Sequence, residues 1–206
     1  HICPGVIAMD INEGPLSRAR EHIEGVGLSA YIETRLSDGL EKLAAGEVEC
    51  MIAAGMGGRL IVKILEDYPE KRQSLRYLIL QPQSELSCVR GYLRERGFVI
   101  RREDMVLEDG KFYPMMLAEA VNAGGEPSPD AEKNAYLESL EDEFGPCLIR
   151  ERNPVLFAYL DWWEELQNRI LKEVLTYPNR RDQVEEELRR IRDVRRRMDT
   201  DGGGAV

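Results

Sequence analysis

The chain has 206 residues, of which 43% are hydrophobic and 32% are charged, and its formal net charge is −10. That much apolar material suffices for one core and an appendage. No run approaches the ~20 apolar residues that cross a bilayer, and no charged-then-apolar leader opens the chain, so we expect a cytoplasmic protein without membrane contact. The acidic balance argues against indiscriminate nucleic-acid binding but does not exclude one focused basic patch.

Cysteine and histidine usage argues against a metal centre. The four cysteines are scattered without Cys-x-x-Cys spacing and only two histidines are present, so no metal is expected. Cys50 and Cys88 lie in apolar patterns and are predicted to be reduced core residues. No Gly-x-x-x-x-Gly-Lys-Ser/Thr segment occurs, so nucleotide hydrolysis by a P-loop has no support.

The first predicted strand ends on an acidic residue. Val6–Met9 has the pattern of a short buried strand and is followed by Asp10, and Pro15 suits the first turn of the helix that comes next. A carboxylate that closes a strand is well placed to accept hydrogen bonds from two ribose hydroxyls. The alternative role for such an acid is to cap the helix.

The second predicted strand leads into a similar corner. Tyr31–Leu36 alternates as a strand should and continues into Ser37-Asp38-Gly39-Leu40. A carboxylate here, or its backbone neighbour, could take the amino group of an adenine ring. Taken singly, Asp38 is better interpreted as the N-cap of a helix that begins at Gly39.

A glycine cluster forms the third corner. The apolar run Cys50–Ala54 predicts a buried strand and Gly55-Met56-Gly57-Gly58 a turn. Glycines let the backbone approach a bound molecule and adopt positive φ, although glycines in such a turn also serve packing alone. Another buried strand, Arg76–Gln81, follows, and three corners on successive parallel strands favour a ligand crevice. The apolar face of the helix after the turn consists of Leu60, Ile61, Ile64 and Leu65.

The core is predicted to end in a hairpin. Phe98–Ile100 and Tyr113–Ala118 have the pattern of the last two strands, and the Asp-Gly pair within Glu108–Lys111 is a strong hairpin signal. Pro114 should lie at an edge or at a strand start, because it cannot donate to a ladder. The composition of Asn122–Asp130 predicts a loop that bounds this region.

Two long helices are predicted after this loop. Apolar residues recur at three- and four-residue steps over 156–174 and 184–198, with a Pro-Asn turn between the two segments, which predicts an antiparallel coiled-coil-like hairpin. Trp162 and Trp163 are predicted to pack between this hairpin and the core rather than to stack on bases. Whether the hairpin forms a homodimer stays open.

The second hairpin helix is locally basic. Residues 179–198 hold eight arginines and five acidic residues, and the run Arg195-Arg196-Arg197 could neutralise RNA phosphates. The alternative is a solvated helix with acid–arginine pairs at i,i+4. The predicted pairs are Glu185–Arg189 and Glu186–Arg190.

The order of these corners resembles a Rossmann-type S-adenosylmethionine-dependent methyltransferase, and more narrowly the bacterial tRNA (adenine-22-N1)-methyltransferase family. The glycine cluster after one strand and the Gln-Pro end of the next are together far more specific than a lone glycine motif. The resemblance covers nearly the whole chain. Its matching phrases are Asp10-Ile11-Asn12-Glu13-Gly14-Pro15-Leu16, Arg35-Leu36-Ser37-Asp38-Gly39-Leu40, Ala54-Gly55-Met56-Gly57-Gly58, Leu78-Ile79-Leu80-Gln81-Pro82, Val106-Leu107-Glu108-Asp109-Gly110-Lys111-Phe112-Tyr113, Phe144-Gly145-Pro146 and Asn153-Pro154-Val155-Leu156-Phe157.

The resemblance implies a fold class and a division of the chain. The fold is α/β: a Rossmann-like class I methyltransferase sheet, mostly parallel with an antiparallel final strand, plus a C-terminal antiparallel coiled-coil-like helical hairpin. It implies an S-adenosylmethionine-binding core at 1–120, a linker with a bridging helix at 121–153 and the hairpin at 154–200.

The resemblance also implies a reaction and its residues. The expected reaction is methyl transfer from S-adenosylmethionine to N1 of an adenine in tRNA, which requires the target base to be unstacked or flipped. No strong general base is obligatory, because N1 attacks with an in-plane lone pair. The expected cofactor-binding residues are Asp10, Ile11, Ser37, Asp38, Gly39, Ala54, Gly55 and Met56. The expected substrate-binding residues are Gly57, Gly58, Gln81, Pro82, Arg195, Arg196 and Arg197.

One departure from the family pattern keeps alternatives open. The family's first strand, its Asp-x-Gly-x-Asp-His-Ala-type loop with the proposed catalytic acid, and most of its first helix are expected before residue 1, and His1–Gly5 looks like the end of that helix. One alternative is therefore an inactive methyltransferase-fold fragment that binds RNA or protein through its hairpin. An NAD-dependent oxidoreductase is a weaker alternative. Its Gly-x-Gly-x-x-Gly fingerprint should lie in the first strand–helix turn, and that region is absent from this sequence.

Overall fold

The computed structural model describes residues 5–121, 131–174 and 177–200, with side chains from residue 135 onwards in the second range. The predicted loop at Asn122–Asp130 and all but the last residue of His1–Gly5 lie outside the described residues. In chain order the described elements are β1 (Val6–Asp10), α1 (Glu13–Gly25), β2 (Ile32–Leu36), β3 (Cys50–Gly57), α2 (Gly58–Asp67), α3 (Pro69–Ser74), β4 (Tyr77–Ser84), α4 (Leu86–Glu95), β5 (Phe98–Glu108), β6 (Lys111–Ala120), α5 (Ala131–Phe144), α6 (Pro146–Arg150), α7 (Pro154–Glu173) and α8 (Pro178–Thr200).

The described chain divides into two compact units. The first comprises the described residues up to Glu49 together with Lys63–Leu75, and the second comprises Cys50–Val62 together with the described residues from Arg76 onwards. The segments predicted at 1–120, 121–153 and 154–200 do not coincide with these units, because the C-terminal helices share a unit with β3 to β6. The predicted boundaries stay a prediction about how the sequence is organised.

A two-stranded parallel sheet belongs to the first unit. β1 and β2 pair from Val6 opposite Ile32 to Asp10 opposite Leu36, so both strands lie within one residue of the predicted ones. The N–H of Ser37 donates to the carbonyl of Asp10 at 2.9 Å and continues the pairing past the end of β2. The buried apolar side chains of this unit are Leu16, Leu40, Leu43, Leu65 and Leu75.

A four-stranded sheet in the order β3-β4-β6-β5 belongs to the second unit. β3 and β4 run parallel, whereas β6 is antiparallel to both of its neighbours. The parallel pairs β1–β2 and β3–β4 and the antiparallel final strand agree with the predicted arrangement.

The final hairpin also follows the sequence. Asp109 and Gly110 both have positive φ, 48° and 72°, as a type I′ turn requires. β5 extends to Glu108, beyond the predicted Phe98–Ile100, because its outer half pairs with β6. Pro114 lies opposite Met105 of β5, past the part of β6 that pairs with β4. Pro114 therefore occupies an edge segment, as predicted.

The predicted burial of the third and fourth strands is only partly correct. Ala53 is buried, but Ile52 and Ile79 are 71% and 41% exposed. Cys50 and Cys88 are exposed at the surface, so their prediction as core residues was wrong. An apolar run indicates a strand that can be buried on both faces, whereas the described elements cover only one face of this part of the sheet.

α7 and α8 pack against each other as the predicted antiparallel hairpin. α7 begins after Asn153, whose side-chain oxygen accepts the N–H groups of Val155 and Leu156 at 2.9 and 3.2 Å, an N-cap. An ion pair joins Asp161 in the first half of α7 to Arg195 near the end of α8, which fixes the antiparallel orientation. The core that these helices share with β5, α5 and α6 comprises Met105, Leu140, Phe144, Leu148, Ile149, Leu156, Leu160, Ile191, Val194 and Met198.

The two tryptophans of α7 differ in their surroundings. Trp163 packs against this core, as predicted. Trp162 is 47% exposed, and its ring lies tilted against Phe112 and Tyr159 with centroid distances of 5.9 Å to each. Trp162 is therefore a surface member of an aromatic cluster, and its prediction as a packing residue was only partly correct.

A buried ion pair ties the helices to the sheet. Arg90 of α4 and Glu103 of β5 are both buried, with Nε and Oε1 2.8 Å apart. Arg90 also donates to two carbonyls at the end of α5, and Glu103 Oε2 accepts the N–H of Cys147 at 2.8 Å. A Cβ at Gly145 would lie 2.8 Å from Glu103 Oε2, so the glycine of Phe144-Gly145-Pro146 leaves room for this pair.

Candidate active site

Asp10 ends β1 at the corner of the first unit. Its Oδ1 accepts the N–H of Asn12 at 2.7 Å, whereas Oδ2 accepts no hydrogen bond from the residues that the structure describes. Ile11, the next residue, is exposed. The pairing of β1 with β2 brings Asp10, Ile11 and Ser37 together at the carboxyl ends of both strands. One acceptor oxygen of Asp10 is thus available to a ligand.

The segment after β2 is a turn and not the start of a helix. Ser37 is buried, and its Oγ donates to the carbonyl of Gly39 at 3.0 Å and accepts the N–H of Lys42 at 3.1 Å. Gly39 has a φ of 53°, and a Cβ there would lie 3.1 Å from Ile64. The alternative of Asp38 as a helix N-cap was therefore wrong. Its exposed carboxylate meets no hydrogen-bond donor within the described ranges.

The glycine cluster lies where β3 ends beside β4. Ala54 pairs with Gln81 and Met56 pairs with Pro82, and the register shifts between them. Gly55, at this irregularity, has a φ of 74°, and its N–H donates to Oε1 of Gln81 at 2.8 Å. The structure therefore brings the predicted residues of the third corner together with both predicted residues of β4.

The two glycines that follow differ in what they tolerate. A Cβ at Gly57 would make an ordinary contact of 3.5 Å with Ser84 Oγ, and the φ of Gly57 is not positive. A Cβ at Gly58 would lie 2.5 Å from the carbonyl oxygen of Ser84 and 2.8 Å from that of Glu85. Gly58 is therefore the position where close backbone approach demands glycine.

Glu85 is a residue of this corner that the sequence analysis missed. It lies at the N-cap position of α4 with a φ of 54°, a strained conformation for a non-glycine residue. Its carboxylate accepts the N–H of Arg59 at 3.3 Å and lies 2.8 Å from Arg59 Nε. An acid directly before a helical pattern is an N-cap signal, but this one supplies negative charge to the start of α2 instead.

Gln81 retains one unused donor. The N–H of Gly55 donates to Oε1, which determines the orientation of the Gln81 amide. In the flipped orientation, the NH2 group of Gln81 would face the N–H of Gly55, and two donors would oppose each other. Nε2 is buried and meets no acceptor in the part of the chain that the structure describes. A buried donor without a partner destabilises a fold by about 1–3 kcal/mol. Such donors are rare in native proteins, so an unpaired Nε2 is an unusual feature of this site.

The three arginines predicted to contact RNA lie on α8 and make ion pairs. Arg195 bridges two acids of α7, and Arg197 pairs with Glu141 of α5 at 2.7 Å. Arg196 is different, because its side chain is 75% exposed and its partner, on its own helix, is 3.4 Å away. The described hydrogen bonds and ion pairs do not connect any of the three to the strand ends.

The predicted i,i+4 pairs on α8 were wrong. Arg190 turns towards α5, where it donates to Glu143 at 2.6 Å. Its burial against α5 explains why it does not pair along its own helix. The ion pairs that the described residues form along the helix are Arg181–Glu185, Arg189–Glu186 and Arg196–Asp193.

A charge cluster in the first unit has a structural role. Arg35 of β2 pairs with Glu33 and Glu47, at 2.6 Å in each case. Its hydrogen bonds, together with the N–H of Ala44, lower the pKa of Glu47 to about 2. These contacts fix the segment between β2 and β3 onto β2.

The described residues contain neither a candidate metal cluster nor a candidate membrane helix. No group of three or more histidine, cysteine or acidic side chains that could hold a metal ion occurs within residues 5–121, 131–174 and 177–200. None of the helices in these ranges is both long and apolar enough to span a membrane.

Comparisons with known proteins assign a family. The family model described as tRNA (adenine(22)-N(1))-methyltransferase matches residues 1–195. The chain belongs to this family. A tRNA (adenine(22)-N(1))-methyltransferase from Bacillus subtilis is 35% identical over 168 residues, which cover 82% of this chain and 67% of that relative.

Solved structures of similar proteins share the fold. The crystal structure of the Bacillus subtilis m1A22 tRNA methyltransferase is 28% identical, with a TM-score of 0.76, and the match covers 92% of this chain and 81% of that one. A Streptococcus pneumoniae protein crystallised with S-adenosyl-L-methionine is 31% identical, with a TM-score of 0.76 and coverage of 92% and 80%. The predicted methyltransferase fold is confirmed, and membership of this family favours the methyltransferase over both alternatives.

Proposed function

We propose that this chain transfers a methyl group from S-adenosylmethionine to N1 of the adenine at position 22 of tRNA. The observation that carries the proposal is the family match over residues 1–195, which spans the strand ends of both compact units. S-Adenosylmethionine supplies an electrophilic methyl group. Binding, orientation and selection of the base are the work of residues of this chain.

The strand ends of the first unit suit the nucleoside part of the cofactor. Asp10 has an unused carboxylate oxygen and Asp38 an exposed carboxylate, and such acceptors match ribose hydroxyls and an adenine amino group. Exposed Ile11 offers an apolar surface to a ring. Ser37 and Gly39 act through the turn: the Ser37 hydroxyl holds its backbone, and Gly39 leaves room for Ile64.

The glycine cluster of the second unit suits a planar base. Ala54 and Gly55 are exposed and carry at most a methyl group, so a ring can lie against them. Half-buried Met56 offers a polarizable contact, and buried Pro82 fixes the strand behind it. Because N1 attacks with its own lone pair, these residues need not remove a proton. Their contribution is in-line orientation, worth up to ~7–11 kcal/mol in favourable cases.

The C-terminal helices are proposed to position tRNA. Arg196 is the member of the predicted arginine run whose exposure and weak pairing suit a phosphate contact. Arg195 and Arg197 are engaged in holding α8 to α7 and α5. A cytoplasmic location and a homodimer through the hairpin stay predictions.

The proposed function is tested by methyl transfer to tRNA transcripts. With labelled S-adenosylmethionine, we expect N1-methyladenosine to form in a transcript with adenine at position 22 and to be absent when guanine replaces it. Guanine is the matched control because its N1 carries a hydrogen and has no lone pair for attack. Methylation that persists with guanine at that position, or no methylation of the adenine transcript, would contradict the proposal.

A further inference from the structure

The orphaned amide of Gln81 lies at the proposed base site. Its Oε1 accepts the N–H of Gly55 at 2.8 Å, and its Nε2 is buried without an acceptor in the described chain. An amide oxygen has two lone pairs, so Oε1 can accept a second hydrogen bond. Gln81 therefore offers one fixed donor and one fixed acceptor side by side.

Adenine matches such a pair in two ways. On its pairing edge, N6 donates and N1 accepts; on its Hoogsteen edge, N6 donates and N7 accepts. Glutamine binds adenine bidentately through N6 and N7 in double-stranded DNA. A donor placed on N1 would occupy the lone pair that attacks the methyl group, so only the Hoogsteen edge leaves N1 free to react.

We propose that Gln81 recognises the target adenine through its Hoogsteen edge, with Nε2 donating to N7 and Oε1 accepting from the N6 amino group. This inference rests on the proposed function, because it takes the glycine cluster as the base site. Nε2 is buried in this structure, so the base reaches it only when the groups that cover it move aside, and the bond then forms away from bulk water, where it is strong. It also removes the unpaired donor from the complex.

The surroundings of Gln81 give the ring a place to lie. Ala54 stands opposite Gln81 on the neighbouring strand, and both Ala54 and Gly55 are exposed. The positive φ of Gly55 turns its N–H towards Gln81, which holds the amide in the required orientation. Guanine would place its O6 against Oε1, two acceptors facing each other, so the same contact selects adenine.

The test compares adenosine with 7-deazaadenosine at position 22 of tRNA, because the second base lacks N7 and keeps N1 and N6. We expect kcat/KM of the wild-type protein to be roughly tenfold lower with 7-deazaadenosine, about 1.4 kcal/mol, as for one buried hydrogen bond. Gln81→Glu keeps the acceptor for Gly55 and loses the donor. It should therefore methylate 7-deazaadenosine at least as well as adenosine, because N7 then faces a carboxylate oxygen.

Gln83→Met provides the matched control. Gln83 is an exposed amide two residues further along β4, and its Nε2 lies 3.8 Å from where a Cβ of Gly55 would be. Its replacement should preserve the tenfold preference, whereas Gln81→Met should abolish it. Comparison between variants cancels any intrinsic difference in the reactivity of N1 between the two bases. Circular dichroism spectra and unfolding midpoints like those of the wild type establish that each variant is folded.

The outcomes separate this inference from the proposed function. A wild-type preference that survives in both Gln81 variants overturns the N7 contact. Loss of activity on both tRNAs by the same factor in Gln81→Met also overturns it, while leaving Gln81 at the base site. Wild-type rates on both tRNAs with Gln81→Met would overturn any contact between Gln81 and the target base, while the methyl transfer itself would still support the proposed function.

Discussion

Gly58→Ala should destabilise the second unit although it adds only one methyl group. The new Cβ would lie 2.5 and 2.8 Å from the carbonyl oxygens of Ser84 and Glu85 and 2.9 Å from Val89 Cγ2. Two of these neighbours are backbone atoms, so a side-chain rotation cannot relieve the overlap. The end of β4 and the start of α4 would have to move away from α2.

The expected magnitude follows from two opposing effects. Overpacking of this kind costs about 1–3 kcal/mol. Replacing glycine by alanine also reduces the conformational entropy of the unfolded chain. This stabilises the folded state by about 0.4–1 kcal/mol where the backbone conformation suits alanine. The net loss of unfolding free energy is therefore about 1–2 kcal/mol, which lowers a urea midpoint by roughly 0.5–1 M for a slope of about 2 kcal/mol/M.

Gly57→Ala is the control for this prediction. It adds the same methyl group one residue earlier, where the nearest described atom is Ser84 Oγ at 3.5 Å and φ is not positive. Urea unfolding followed by circular dichroism should give Gly57→Ala a midpoint at or slightly above that of the wild type. Equal midpoints for the two alanine variants would refute the reasoning from close backbone approach.

The remaining predictions concern the cofactor, tRNA and acid stability. Asp10→Asn keeps an acceptor for its backbone contact but loses the charge, and calorimetry should show S-adenosylmethionine binding weakened roughly 10–100-fold; an unchanged dissociation constant would remove Asp10 from the site. Arg196→Gln should reduce the slope of log tRNA affinity against log salt by roughly 0.7–0.9. Arg195→Gln should instead mainly lower the unfolding midpoint. Identical slopes for Arg196→Gln and the wild type would argue against the phosphate contact. Hydrogen bonds from Arg35 and the Ala44 N–H lower the pKa of Glu47 from 4.5 to about 2, so the stability that Glu47 contributes is complete above pH 4.5 and is lost as the pH falls towards 2. Glu47→Gln should therefore lose less stability than the wild type across that range, and equally steep losses would contradict this.

The elements that could be predicted from the sequence are those encoded within a few residues. The Asp109-Gly110 turn forms because both residues tolerate positive φ. α7 starts after Asn153 because its side chain caps the first N–H groups. The strand ends at Asp10 and at the glycine cluster were found for the same reason, since each is a local change from apolar residues to a polar or glycine-rich turn.

Tertiary structure decided which of these residues can do chemistry. Gly57 and Gly58 are indistinguishable in sequence, and only the carbonyls of Ser84 and Glu85 make the second one irreplaceable. The donor of Gln81 is left unpaired because Gly55, 26 residues away, fixes the amide oxygen. These contacts depend on where separate strands meet, which local propensity does not encode.

Charge was the property that the sequence predicted least well. The basic run of α8 suggested a surface for phosphates, but Arg195 and Arg197 reach acids on α7 and α5. Arg90 and Glu103 form a buried pair across 13 residues without any sequence signal. Composition and spacing determined how many charges each segment carries. The packing of the helices determined which of these charges pair with each other and which, like Arg196, still face solvent. The reason is that a long charged side chain pairs with whichever acid the fold brings within its reach.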